Sequence, residues 1–248
     1  MGLLLSGEVV FSEKNIAHIM QQLLEGLWYC HRNNFLHRDL KCSNILVNND
    51  GQVKLADFGL ARLYSSKDQE RPYTNNVITL WYRPPELLLG EERYGKPVDI
   101  WSCGCILGEL FTREAMFRGN TELAQLDKIF NICGTPNLGN WPDVRELPGH
   151  STYRPKKTYP RRLRNEYSRL PTKALDLLDN MLFLDPKKRI SADAALEHEW
   201  FKSVTPEPAK LPTHCDWHEM SAKKERQRQK ASEASNSQLN TQKALINA

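Results

Sequence analysis

The sequence predicts a mainly α-helical fold carrying one small β-hairpin and ending in a disordered tail. Three observations predict it. Apolar residues recur at i, i+3 and i+4 in segment after segment; the string Asn48-Asn49-Asp50-Gly51 divides two short β-prone runs; and beyond Val204 large apolar side chains almost vanish.

The elements follow in order. Ser12 reads as an N-cap, and Ile16, Ile19, Met20, Leu23, Leu24 and Leu27 form the stripe of a long amphipathic helix ending near His31 to Asn34. Ile45-Leu46-Val47 and Val53-Lys54-Leu55 flank the turn-rich spacer and read as a hairpin. Everything after it reads as helical. Pro97 opens a helix through Ile100, Trp101, Ile106, Leu107, Leu110 and Phe111 that is apolar on most of its circumference, hence central. Further stripes fall at Leu123, Leu126, Ile129 and Phe130, at Ala174, Leu175, Leu178, Met181 and Leu182, and in a short run from Ser191 to Leu196. Pro206, Pro208 and Pro212 then lead into residues 223–230, with five basic side chains and one acid. The predicted organisation is a folded body over residues 1–204 and an extension over 205–248.

Composition excludes several classes. With 248 residues, 40% hydrophobic and 26% charged, the chain is too ordinary for a collagen-like, mucin-like or wholly disordered protein. The longest apolar runs are far below the roughly 18 residues that cross a bilayer, and no basic n-region precedes Leu3 to Leu5, so the expected place is the cytosol or nucleus. The net charge of +4 resides in residues 223–230, which leaves the body neutral and without reason to bind nucleic acid directly. The cysteines, scattered through apolar surroundings, read as reduced and buried.

Three strings fall in the loops of this outline: His37-Arg38-Asp39-Leu40-Lys41-Cys42-Ser43-Asn44, Asp57-Phe58-Gly59 and Pro84-Pro85-Glu86. Phosphoryl transfer needs a positioned hydroxyl, a held phosphate tail and cations that neutralise developing charge, rather than covalent work by the protein. Asp39 is suited to orient an attacking hydroxyl and take its proton, and Lys41 to reach the transferred group. Asn44 and Asp57 offer hard oxygen ligands of the kind Mg²⁺ prefers, and Gly59 lets the chain turn after an inward-packed Phe58. Each carboxylate could instead be an ordinary cap or turn residue; their order together with Asn44 argues for chemistry. Gly90-Glu91-Glu92-Arg93-Tyr94-Gly95-Lys96-Pro97 imitates a P-loop but ends in proline where a hydroxyl is needed and follows no strand, so it is set aside.

From Met1 to Val204 these strings resemble the C-terminal lobe of a eukaryotic protein kinase of the cyclin-dependent family. The resemblance implies a kinase C-terminal lobe with the N-terminal β-rich lobe absent, since no Gly-rich loop or strand lysine is found in the sequence. Little activity is then expected of this polypeptide alone, and cyclin would dock mainly on the other lobe. ATP and Mg²⁺ are the implied cofactors, with Leu46 and Ala56 forming the adenine floor and Asp57, Lys41 and Asn44 at the phosphates. Glu86 is implied to pair with Arg189, and Thr79 to tie the segment between Asp57 and Glu86 to Asp39 and Lys41. Thr74 matches a phosphorylated position that Arg38 and Arg62 would bind, while Arg83 holds the backbone near Ile78 so that proline is preferred after the target Ser or Thr. His37 is implied to be structural.

The run from Leu80 to Gly90 with Tyr73-Thr74-Asn75 is similar to transcription-associated members. Trp217-His218-Glu219 and the basic cluster resemble the extension of the elongation kinases that partner cyclin K and phosphorylate the RNA polymerase II C-terminal repeats. That implies a nuclear protein, with the cytoplasm as second place, whose tail either approaches ATP or is a solvated or nuclear-targeting run. The competing class is a non-catalytic fragment that binds kinase substrates or partners.

Overall fold

The structure, a computed structural model, describes residues 9–64, 72–74, 76–153 and 157–211. The chain divides into two units: Phe11–Lys210, which holds the elements below, and Met1–Val10 with Leu211–Ala248, of which only Val9, Val10 and Leu211 are described. The basic cluster at residues 223–230, the Trp217-His218-Glu219 string, Cys215 and Asn75 lie outside the described residues.

Helix α1 spans Glu13–Arg32. Ser12 caps it reciprocally: its side chain accepts from the Asn15 backbone N–H, and the Asn15 side chain accepts from the Ser12 backbone N–H. The helix stops where Asn33 caps it and Asn34 turns left-handed at φ 59°. Met20, Leu23, Leu24 and Leu27 are fully buried, and at about 1.5 to 3 kcal/mol each their burial outweighs the ~1 kcal/mol of a cap. Packing therefore holds α1 in place.

Two short sheets follow. Strands β2 (Ile45–Val47) and β3 (Val53–Leu55) pair antiparallel with Ile45 opposite Leu55, the hairpin expected. The second sheet was not legible: β1 (Phe35–Leu36) pairs with β4 (Arg62–Leu63), Phe35 opposite Leu63. Two-residue strands carry no periodicity, so the stretch after the hairpin, expected to be wholly helical, contains a strand fixed by its partner.

Helix α2 is the short Pro85–Leu88, and α3 spans Pro97–Thr112 with Pro97 in its first turn. Every residue of α3 from Val98 to Leu110 is buried, which makes it the axis of the unit; Trp101 stacks on Phe117 at 5.8 Å. Helix α4, Glu122–Cys133, starts at Thr121, whose hydroxyl accepts from Ala124 N at 3.2 Å. Leu123 faces outward although it belongs to the expected stripe. Helices α5 (Leu163–Glu166), α6 (Thr172–Met181), α7 (Ala192–Leu196) and α8 (Glu199–Val204) complete the unit, with α6 against α3 and with α7 and α8 against α1. Cys103, Cys105 and Cys133 are buried free thiols, as expected; Cys42 is likewise buried, and Cys30 is partly exposed.

Candidate active site

The loop between β1 and β2 is anchored from below by one buried carboxylate. Asp99, in the first turn of α3, accepts from His37 N at 3.0 Å and His31 Nε2 at 2.9 Å through Oδ2, and from Arg38 N at 2.9 Å through Oδ1. These bonds hold Arg38 at φ 63°, a conformation rare for a residue with a side chain. Asp99 was missed in the sequence. Its signal was a carboxylate in the first turn of a helix that is apolar on most of its circumference, where a buried charge requires partners.

His37 has a fixed tautomer. Asp39 N donates to its Nδ1 at 3.3 Å, so the proton sits on Nε2, which donates to Ala56 O at 3.2 Å. Burial lowers its pKa, outweighing the pull of Asp99, the Ala56 carbonyl, Asp39 and Asp57, and the neutral ring is a strut between the loop and the hairpin. Phe58 packs on it at a ring distance of 4.7 Å but stays half exposed, so the expected inward packing is met on one face only.

Above this base four predicted residues converge. Lys41 Nζ donates to Asp39 Oδ2 at 2.7 Å and to Thr79 Oγ1 at 3.1 Å, while Thr79 Oγ1 donates to Asp39 Oδ1 at 3.0 Å. Asn44 Nδ2 donates to Asp39 O at 2.9 Å and Oδ2 at 3.1 Å. Burial raises the Asp39 pKa, but the bonds from Lys41, Thr79 and Asn44 and the Lys41 charge bring it below the ordinary carboxylate value. Asp39 is thus an ionised carboxylate held on both oxygens. Thr79 reaches it because the turn Leu80–Tyr82 is pinned to α3: Ser102 Oγ donates to Tyr82 O at 3.0 Å and Tyr82 Oη to Glu109 Oε2 at 2.6 Å.

Asp57 follows β3 at the same open end of the hairpin as Asn44, left-handed at φ 62°, and accepts weakly from Gly59 N at 3.4 Å. Ala56 N donates to Asn44 O at 2.9 Å, which continues the ladder and brings Asn44 to the edge that Asp57 follows. Because Asn44 Nδ2 is spent on Asp39, its side-chain oxygen is left for a cation. No three His, Cys, Asp or Glu gather into a metal site among the described residues. One carboxylate and one amide oxygen fit a Mg²⁺ that takes its remaining ligands from phosphate and water. Leu46 stands opposite Lys54 on the hairpin with 49% of its surface exposed, and strand alternation puts Ala56 on the same face.

Two further groups border the cluster. Arg38 is buried, its Nε donating to Leu60 O at 2.7 Å and its Nη1 to Tyr94 Oη at 3.0 Å; Tyr94 Oη in turn donates to Thr74 O at 2.7 Å. Arg62 lies 4.6 Å over the Tyr73 ring. Both arginines therefore come to the Tyr73–Thr74 segment, through Tyr94 and the Tyr73 ring, and the Thr74 side chain is exposed. On the other side Arg83 Nε donates to Ile78 O at 3.2 Å, with Ile78 left-handed at φ 64°. Tyr94 and the Glu122 partner of Arg83 were not legible, because each acts across the fold rather than within a motif. Glu86 and Arg189 form the expected pair, two bonds of 2.6 Å in full burial.

The protein kinase domain model matches residues 3–201. Cyclin-dependent kinase 12 of Drosophila melanogaster is 59% identical over 238 residues, 95% of this chain and 21% of its own length. Cyclin-dependent kinase 12 of Caenorhabditis elegans is 57% identical over 231 residues, 91% of this chain and 31% of its own. A chain in the crystal structure of the yeast RNA Pol II CTD kinase CTDK-1 complex superposes with TM-score 0.81 and 45% identity, over 85% of this chain and 70% of that one. The chain thus spans less than half the length of these curated relatives.

The matches correct one expectation. A C-terminal lobe alone, with the N-terminal β-rich lobe absent, is overturned, because the domain match starts at residue 3 and the overlap takes in much of the solved kinase. The absence had been read from motifs not found near the first residue, and where a sequence starts carries no information about what packs there. The inactivity inferred from it loses its premise. Matched along most of its length, the chain belongs to the protein kinase domain family, in the cyclin-dependent branch of transcriptional type.

Proposed function

We propose that this chain carries the catalytic centre of a Ser/Thr kinase that transfers the γ-phosphoryl of ATP to a Ser or Thr followed by proline, with the RNA polymerase II C-terminal repeats as substrate. The single observation that carries the reading is the joint hold of Lys41, Thr79 and Asn44 on the Asp39 carboxylate. Asp39 accepts a hydrogen bond from the substrate hydroxyl, orients it and takes its proton as the new bond to phosphorus forms. Lys41, already 2.7 Å from Asp39, is near enough to meet a phosphoryl oxygen beside that hydroxyl. Asn44 and Asp57 would hold Mg²⁺, which supplies charge neutralisation at the phosphates. Leu46 and Ala56 give the adenine an apolar floor.

Proline preference follows from Ile78. Its left-handed backbone directs the carbonyl to Arg83, so a substrate N–H at the following position finds no acceptor there. Proline has no N–H to leave unpaired, and other residues lose the equivalent of a buried unsatisfied donor. Phosphate on the exposed Thr74 would bind Arg38 and Arg62, which reach the neighbouring Tyr94 hydroxyl and Tyr73 ring. The cyclin-dependent relatives support a cyclin partner, which we take to be of K type, and a nuclear location.

The test is a kinase assay of the complete protein with its cyclin on a Ser-Pro repeat peptide. Transfer should fall by about 10²- to 10⁴-fold for Asp39→Asn, with the fold retained by circular dichroism. Undiminished transfer by that variant would refute the assignment.

A further inference from the structure

We propose that Glu122 is a positioning residue for proline discrimination. The inference rests on the reading of Ile78 and Arg83 given above and names what holds that pair. Ile78 is β-branched and buried, and at φ 64° it occupies a region such residues rarely adopt. A strained backbone of this kind persists only where its surroundings over-determine it. The immediate restraint is Arg83 Nε on Ile78 O at 3.2 Å.

A guanidinium is a rigid plane, so what grips its ends sets the direction of Nε. Arg83 Nη2 donates to Asn76 Oδ1 at 3.1 Å, a neighbour in the same loop. Arg83 Nη1 donates to Glu122 Oε1 at 2.6 Å, the shortest of the three contacts, and Glu122 belongs to α4. Thr121 caps that helix, and Leu126, Ile129 and Phe130 bury its inner face. Glu122 is therefore the tie from the packed body to the Arg83 guanidinium, whose other two partners, Ile78 O and Asn76 Oδ1, belong to its own loop. Its side chain is 60% exposed and the Arg83 side chain 10%, so the carboxylate can be altered without opening the core.

Without the carboxylate, the Arg83 plane is held only by Ile78 O and Asn76 Oδ1 of its own loop. The Ile78 peptide can then relax, and its carbonyl becomes available to a substrate N–H. The predicted loss is thus selective: peptides with a residue other than proline gain relative to Ser-Pro peptides.

The experiment measures kcat/KM for matched Ser-Pro and Ser-Ala peptides with the complete kinase and its cyclin, comparing wild type, Glu122→Ala and Glu122→Gln. The ratio of the two values is insensitive to the folded fraction, which affects both peptides alike. For Glu122→Ala the ratio should fall by about three- to tenfold, the worth of a partly exposed charge-assisted contact, and Glu122→Gln, which keeps an acceptor oxygen, should restore at least half of the loss. A wild type that discriminates and an alanine variant with the same ratio would overturn the role of Glu122 and leave the reading of Ile78 intact. A wild type that does not discriminate would overturn both.

Discussion

At the residue scale the site depends on one carboxylate being held rather than merely present. Asp39 accepts from Lys41, Thr79 and Asn44, and these bonds outweigh the burial that would raise its pKa. Its folded-state pKa is depressed, so its contribution to stability is complete above the unfolded value and is lost as pH falls through the folded one. Thr79→Val removes one of the bonds and lets the pKa rise. The acid limb of the kcat/KM profile should then begin at higher pH than in wild type, and a limb at the same pH would mean that Thr79 does not reach the carboxylate in the working enzyme. Asp39, Lys41 and Asn44 were legible because they share one short string whose order suits a single reaction. His37 shows the limit of such reading: its structural role was inferred, but the carbonyl that takes its Nε2 proton lies 19 residues away.

Elements are joined by buried ion pairs that no local pattern specifies. Arg189 places all five of its N–H donors: two on Glu86, and one each on Pro97 O at 3.1 Å, Phe183 O at 2.8 Å and Leu184 O at 3.0 Å. It thereby fastens α2 to α3 and to the loop after α6, with its guanidinium 4.9 Å over Trp101. Lysine keeps the charge but has three donors, so at least two acceptors are left unpaired. Arg189→Lys should cost about 3 kcal/mol, and Tm should drop by about 6 to 12 °C in a thermal melt. Replacing both partners with apolar residues, as in Glu86→Leu with Arg189→Met, is neutral for many buried pairs. Here three backbone carbonyls would lose their donor, so the double variant should also be destabilised in urea; wild-type stability would show that the carbonyl bonds contribute nothing.

At the scale of the whole unit, the two ends of the folded body close on each other. Trp200, fully buried in α8, donates from Nε1 to Glu13 Oε1 at 2.9 Å, 187 residues earlier, and its ring lies 6.1 Å from that of Phe111. Glu207 N donates to Lys14 O at 3.2 Å, and Asn15 Nδ2 to Glu207 O at 3.0 Å, which fixes the start of α1. Trp200→Ala should therefore cost about 3 to 5 kcal/mol in urea denaturation, as a large buried aromatic does, whereas a loss below 1 kcal/mol would show that α8 is dispensable for closing the unit. By itself the sequence determined the long first helix with its Ser12 cap, the hairpin around Gly51, the central apolar helix and the motif residues, because those features are written within a few turns of one another. Only the tertiary structure decided the pairing of β1 with β4, the burial of Asp99 beneath the catalytic loop, the link from Arg38 through Tyr94 to Thr74, and the grip of Glu122 on Arg83. Each of these joins residues about 20 to 61 positions apart. Such bonds follow from where packed elements bring polar groups out of water, a condition that no local periodicity encodes.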